Sequence, residues 1–167
     1  MRCKGRCFLG IVQAFSKKKY IFAPKYVVMQ NKKMTLVSPC RVQLPKNVDE
    51  RGVLSFLEGG SDIPFEVARV FWITDVPAGK TRGGHAHWTC HEAVFAVQGR
   101  FEIEVDDGRQ REVFVLDAPN EGVVVPAGAW CELRHFEPGT VCVVMASEHF
   151  DANGYVHDKG EWSKVKG

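Results

Sequence analysis

Residues Arg100–Val115 read RFEIEVDDGRQREVFV. Phe101, Ile103 and Val105 alternate with Glu102, Glu104 and Asp106, the period-two pattern of a strand with one buried and one wet face. Asp107-Gly108 supplies the turn, and Val113 and Val115 alternate on the return, so the stretch predicts a β-hairpin. Working outward, the apolar runs ARVFWITDV, AVFAVQG, EGVVVPAG and TVCVVMAS are all short and bounded by Gly, Pro or Asp. Helical periodicity is scarce. Many short strands at this spacing point to an all-β sandwich, jelly roll or barrel.

The chain has 167 residues, enough for one domain with a sizeable core. Its net charge of +2 hides an asymmetry. Residues 1–33 carry nine Lys/Arg and no acid, whereas residues 34–167 hold 13 basic and all 20 acidic residues, a balance of −7. An acidic body argues against nucleic acid as a partner. No stretch approaches the roughly 20 apolar residues of a membrane helix. The basic segment lacks a signal-peptide cleavage pattern. Composition switches abruptly at Met34, so 1–33 is read as a basic N-terminal extension, disordered or a start-site artefact, and 34–167 as the single domain. The end, FDANGYVHDKGEWSKVKG, reads as a short irregular C-terminal segment with a loop and a short helix or extended tail. The six cysteines form no CxxC pair and suggest free thiols in a reducing compartment; Cys142, inside VCVVMA, is read as a small buried hydrophobe.

The chemistry concentrates in RGGHAHWTCHE, Arg82–Glu92. His85 and His87 are two apart, so on a strand both project from one face. Glu92, on the next strand, can close on the same point. With Gly79 and Gly99 the spacing is G-x5-H-x-H-x4-E-x6-G, the first motif of the cupins; Gly122, Pro126 and Gly128 match the core of the second, with Cys131 where its histidine is expected. Two chemistries fit. His85, His87, Glu92 and Cys131 could hold a divalent metal such as Fe, Zn or Mn. Alternatively, two imidazoles that titrate near neutrality could exchange protons without a metal. His91 should face the other side as a surface or packing residue, and His135, His149 and His157 are read as structural or exposed.

From Arg51 to Trp162 the sequence resembles the bacterial sugar 3,4-ketoisomerases, the WxcM-like or QdtA-type cupins. RGVLSFLEGGSDIPFEVARVFWI resembles the family's opening, RGGHAH its R-G-x-H-A-H signature, VDDG its hairpin turn, AWCELRHF its W-H-E-M segment and VVMASEHFDANGYVHD its ending. The resemblance implies a cupin jelly-roll barrel (double-stranded β-helix) that converts a dTDP-4-keto-6-deoxyhexose to its 3-keto isomer through an enediol, without a metal. It implies His87 as base at C3 and His85 as partner acid or shuttle. By position, Arg51, Arg82 and Arg69 are candidates for the diphosphate, and Trp130 and Tyr155 for stacking on the base. Trp72, Glu92 and Cys131 join them as substrate-contacting candidates at positions where the chain departs from the family. Phe71 and Trp72 replace tyrosines, Glu92 stands where Gln is usual, and Cys131 replaces a histidine. The added carboxylate favours protonated histidines. The alternatives are a metal-binding cupin of other chemistry and a non-catalytic nucleotide-sugar-binding cupin. The resemblance further implies a bacterial cytoplasmic homodimer that serves polysaccharide biosynthesis, with 36–58 as the segment exchanged between subunits.

Overall fold

The computed structural model describes residues 27–30, 33–36 and 38–166. Its strands are β1 (Val27–Gln30), β2 (Lys33–Leu36), β3 (Cys40–Gln43), β4 (Lys46–Asp49), β5 (Gly52–Ser55), β6 (Arg69–Ile73), β7 (Arg82–His87), β8 (Glu92–Gln98), β9 (Phe101–Asp106), β10 (Arg111–Leu116), β11 (Glu121–Val125), β12 (Trp130–Arg134), β13 (Val141–Ala146) and β14 (Tyr155–Val156), followed by α1 (Lys159–Lys166). Two five-stranded antiparallel sheets, ordered β10-β9-β12-β7-β14 and β3-β11-β8-β13-β6, make the body, as the alternation predicts. β1 and β2 pair as a hairpin across the expected boundary at Met34; the rest of the basic extension lies outside the described residues. The C-terminal segment is more ordered than its sequence suggests. β14 adds to β7, and α1 buries Trp162, whose indole N–H donates to the Gly128 carbonyl at 2.9 Å.

The hairpin that decides the fold pairs Phe101 with Leu116 and Ile103 with Phe114. Phe101, Ile103 and Val105 are buried, as the alternation requires. The return strand is shifted in phase: Phe114 and Leu116 face the core, while Val113 and Val115 share the wet face with the glutamates. The cause is the loop. Asp106 pairs with Arg111, so four residues intervene, Gly108 takes φ +90°, and Asp107 accepts from the N–H groups of Arg109 and Gln110. An even-numbered loop sends the even residues inward.

The core between the sheets gathers Val94, Ala96, Phe101, Ile103, Val105, Leu116, Val123, Leu133, Cys142 and Val144. The four apolar runs named above form β6, β8, β11 and β13. On β8 the even residues Glu92, Val94 and Ala96 face this core, while Ala93 and Phe95 face a second cluster with Val42, Leu44, Ile63 and Phe65. β8 is therefore buried on both sides, which is why AVFAVQG reads as a continuous apolar run. Cys40, Cys90, Cys131 and Cys142 are free, and Cys142 is fully buried.

Candidate active site

The site lies between the sheets at the end of β7. Directly paired residues of neighbouring strands project from the same face. His85 pairs with Cys131 of β12, and His87 with Tyr155 of β14. Cys131 belongs to the inter-sheet core, so both histidines point inward with it. From the opposite sheet Glu92 enters on the inward row of β8. The next strand places Ala146 beside Glu92 and Arg69 beside Ala146. Arg69 and Glu92 thus flank one small residue on the same face.

The rings of His85 and His87 meet edge-on with centroids 5.0 Å apart. Tyr155 lies 4.2 Å from the His87 ring and 5.0 Å from that of His85. His87 and Glu92 are almost wholly buried, 6% and 5% exposed. His87 Nε2 sits 3.2 Å from Glu92 Oε1, off hydrogen-bond alignment and with no other partner among the described residues. Burial holds His85 below the usual imidazole value of 6.5; the neighbouring His87 adds to the effect and Glu92 opposes it. The expectation that Glu92 drives protonation is thus reversed for His85, because desolvation of its charged form outweighs the carboxylate. Burial, reinforced by Glu92, pushes the Cys142 thiol up to about 12 and the Cys131 thiol further still.

The glycines before the histidines re-aim the strand. Register slips between Cys131 and Glu132, so Gly84 is an extra residue, and both Gly83 and Gly84 take positive φ. A Cβ on Gly83 would stand 2.8 Å from the Cys131 carbonyl oxygen. The bulge shifts the phase so that Arg82 pairs with Leu133 and returns to the histidine face, at the exposed end of β7.

The arginine candidates separate clearly. Arg69 packs its guanidinium over Phe71 at 5.2 Å and Phe150 at 5.6 Å, and its buried Nε has no hydrogen-bond partner among the described residues. Phe150 touches Tyr155, 5.9 Å between rings, which ties Arg69 to the histidines. Arg51 sits instead on the exposed β4–β5 turn and pairs with Asp49; among the described residues no contact brings it to the histidines. Two further candidates lie elsewhere. Trp72 alternates with the inward residues Phe71 and Ile73, so its side chain is on the outer face, 69% exposed. Trp130 pairs with Ala86, between the two histidines, and therefore faces out. It packs with Ala86, Val156 and Trp162 beneath α1.

His91 behaves as expected. It faces away, stacks on Phe65 at 6.1 Å and accepts from the Ala127 N–H at 3.0 Å. His157 does not: read as structural or exposed, it stacks on Tyr155 at 5.5 Å and lies 5.9 Å from the His85 ring. Its signal was available, since His157 is two residues from Tyr155 and shares its side on an extended segment.

One ligand atom each from His85, Glu92 and Cys131 lies within 4.8 Å of the others. Imidazole nitrogen, carboxylate oxygen and sulfur suit a zinc-class ion, so this part of the expected metal set fits; His87 is outside that group.

Comparison with known proteins agrees with this geometry. A family model described as FdtA, WxcM-like, C-terminal, matches residues 39–167. The chain is 30% identical over 123 residues to a TDP-4-oxo-6-deoxy-alpha-D-glucose-3,4-oxoisomerase of Aneurinibacillus thermoaerophilus, covering 74% of this chain and 88% of the relative. Among solved structures, a 3,4-ketoisomerase from Helicobacter canadensis superposes with a TM-score of 0.75 at 30% identity, over 78% of this chain and 98% of its own. A mutant of the 3,4-ketoisomerase QdtA from Thermoanaerobacterium thermosaccharolyticum, in complex with TDP-4-keto-6-deoxyglucose, gives 0.75 at 27% identity, over 79% and 96%.

Proposed function

This chain belongs to the FdtA family of WxcM-like C-terminal domains, and from that premise we propose how its inward histidines carry out a sugar 3,4-ketoisomerisation. The protein is an isomerase of the TDP-4-keto-6-deoxyhexose 3,4-ketoisomerase type. The observation that carries the mechanism is the pair of edge-on imidazoles at 5.0 Å, His87 buried and His85 half-buried, with Tyr155 against them.

The substrate's C4 ketone acidifies the proton on C3. His87 takes that proton, and the electrons of the C–H bond form a C3–C4 double bond while O4 gains charge. The imidazolium form of His85 hands O4 a proton, which gives the enediol and leaves His85 neutral. Neutral His85 then takes the O3 proton while His87 returns the proton it holds to C4, which leaves the ketone at C3 and both histidines in their starting states. His87 suits the base role because Nε2 faces Glu92. A carboxylate this close, though off hydrogen-bond alignment, stabilises the positive charge His87 gains on taking the proton. Burial holds His85 below its ordinary value, so its imidazolium form gives up a proton to O4 more readily than a free imidazolium would.

Arg69 is the substrate-binding cation best supported: it is inward-facing, lies over the rings of two phenylalanines, and has an Nε without a partner among the described residues. An anionic diphosphate gives it forked charge-assisted bonds. Arg82, re-aimed by the Gly83-Gly84 bulge, stands at the rim as a second cation. The route uses side chains alone. A zinc-class ion on His85, Glu92 and Cys131 would supply Lewis-acid polarisation, a different chemistry.

The proposal extends to a homodimer. Val48, Val53 and Leu54 of the β4–β5 hairpin are 64%, 63% and 59% exposed, inside the 36–58 segment. An isolated two-stranded ribbon of this kind gains from pairing with another chain. In such a dimer Arg51 belongs to the partner's surroundings. No helix among the described residues is long and apolar enough to cross a membrane, and a cytoplasmic setting completes the reading.

The test is direct. The full chain, treated with chelator, is incubated with dTDP-4-keto-6-deoxyglucose and followed by NMR. Appearance of a 3-keto product at an undiminished rate is expected; product only after metal is restored would overturn the metal-free mechanism.

A further inference from the structure

Proton transfer leaves one inward-facing group without a task. Cys131 pairs with His85 across β12 and β7, and its thiol makes no hydrogen bond among the described residues. Its Sγ, a His85 ring nitrogen and a Glu92 oxygen lie within 4.8 Å of one another. They come from three strands, β7, β8 and β12, in both sheets, so the fold and not one flexible loop holds them together. A tetrahedral ion with bonds of about 2.0–2.3 Å needs its ligand atoms roughly 3.5 Å apart. The three atoms therefore need to draw in by only about 1 Å, and a fourth position stays open. A sulfur ligand selects zinc or cobalt over magnesium or calcium.

We propose that His85, Glu92 and Cys131 form a binding site for a thiophilic divalent cation of the zinc class, and that filling it inhibits the isomerase. Binding replaces the Cys131 S–H bond with an S–metal bond and releases one proton to the buffer, with no change in oxidation state. His87 stays outside the ligand set. The inhibitory half rests on the proton-transfer reading, because the ion occupies the His85 nitrogen and the Glu92 oxygen which that route uses. The binding half does not.

The experiment titrates the metal-stripped full chain with Co²⁺, then Zn²⁺. One equivalent of Co²⁺ is expected to raise a near-ultraviolet thiolate-to-cobalt band, which Zn²⁺ abolishes and Mg²⁺ does not. Zn²⁺ suppresses ketoisomerisation, and chelator restores it. Cys131→Ser is expected to lose the band and to bind Zn²⁺ at least about tenfold more weakly, given that even outer-shell losses cost 10–100-fold. Cys142→Ala and His87→Asn keep the band, which guards against a misfolded serine variant and against another thiol as ligand. Absence of the band at one equivalent, or its survival in Cys131→Ser, overturns the site. A band with unchanged turnover under saturating Zn²⁺ overturns the inhibition. A chain that binds Co²⁺ but never isomerises the sugar condemns the functional reading and leaves the site standing.

Discussion

The inward faces of the two sheets carry opposite contents at their two ends. At one end Phe101, Ile103, Leu116 and Val123 are fully buried, and Phe101 stacks on Phe136 at 4.9 Å. At the other end the same rows carry His85, His87, Glu92 and Cys131. β8 makes the passage within one strand, from Glu92 through Val94 to Ala96. The difference teaches that alternation selects a face, and that function occupies the part of that face from which apolar residues are withheld. Buried polar groups cost stability unless paired. Here Glu92 and His87 lie against each other, and a polar substrate can supply what the chain leaves unpaired.

Matched substitutions at the two ends should break this comparison apart. His87→Asn is expected to lower kcat by about 10²–10⁴-fold, with an unchanged denaturation midpoint. Phe101→Ala should cost about 3–5 kcal/mol of stability while the surviving folded fraction keeps its kcat. Both are read by urea unfolding beside the NMR assay. If His87→Asn unfolds the chain, the polar end is structural and the contrast fails. Next in size, Arg69→Ala should raise KM about tenfold, the loss of one charge-assisted contact, with a smaller change in kcat. A fall in kcat alone would move Arg69 from binding the diphosphate to the reacting carbons.

A pH series sharpens the same contrast. Burial lowers His85 and His91 below 6.5. The unfolded chain then binds more protons than the folded one, so stability present above about pH 6.5 is lost as pH falls through the lowered folded values. The melting temperature should decline from pH 7 toward pH 5, less steeply in His91→Gln. An increase in that window would contradict the assigned burial. The smallest effect belongs to Trp72. Being exposed on the outer face, Trp72→Ala should change kcat/KM by less than about threefold, whereas Trp130→Ala, beneath α1, should cost about 3–5 kcal/mol. A large catalytic loss in Trp72→Ala would put that residue at a site completed by another chain.

Strand existence and the histidine pair were legible in the sequence because both follow from period two, which is local. Phe101, Ile103 and Val105 fell inward as their alternation required, and the HAH spacing set two rings on one face. Registers were less legible. The Asp107–Gln110 loop has four residues, and any even-numbered loop, a two-residue Asp107-Gly108 turn included, places Val113 and Val115 outward, so the parity of the turn was the signal overlooked. Arg82 reached the histidine face only through a one-residue bulge. Trp130 was misplaced for the complementary reason: its burial depends on Trp162 and α1, over 30 residues away, and an aromatic in a motif looks the same whether it packs or binds. His157 was passed over because β14, which carries its neighbour Tyr155 to His87, is only two residues long.

The central claim is that His87 removes the C3 proton. The direct measurement is deuterium exchange at C3 of dTDP-4-keto-6-deoxyglucose in D₂O, followed by NMR with the chelator-treated full chain and its His87→Asn variant. The account predicts rapid exchange with wild type and none above background with the folded variant. Exchange at an undiminished rate in His87→Asn would contradict it and move the base to another residue.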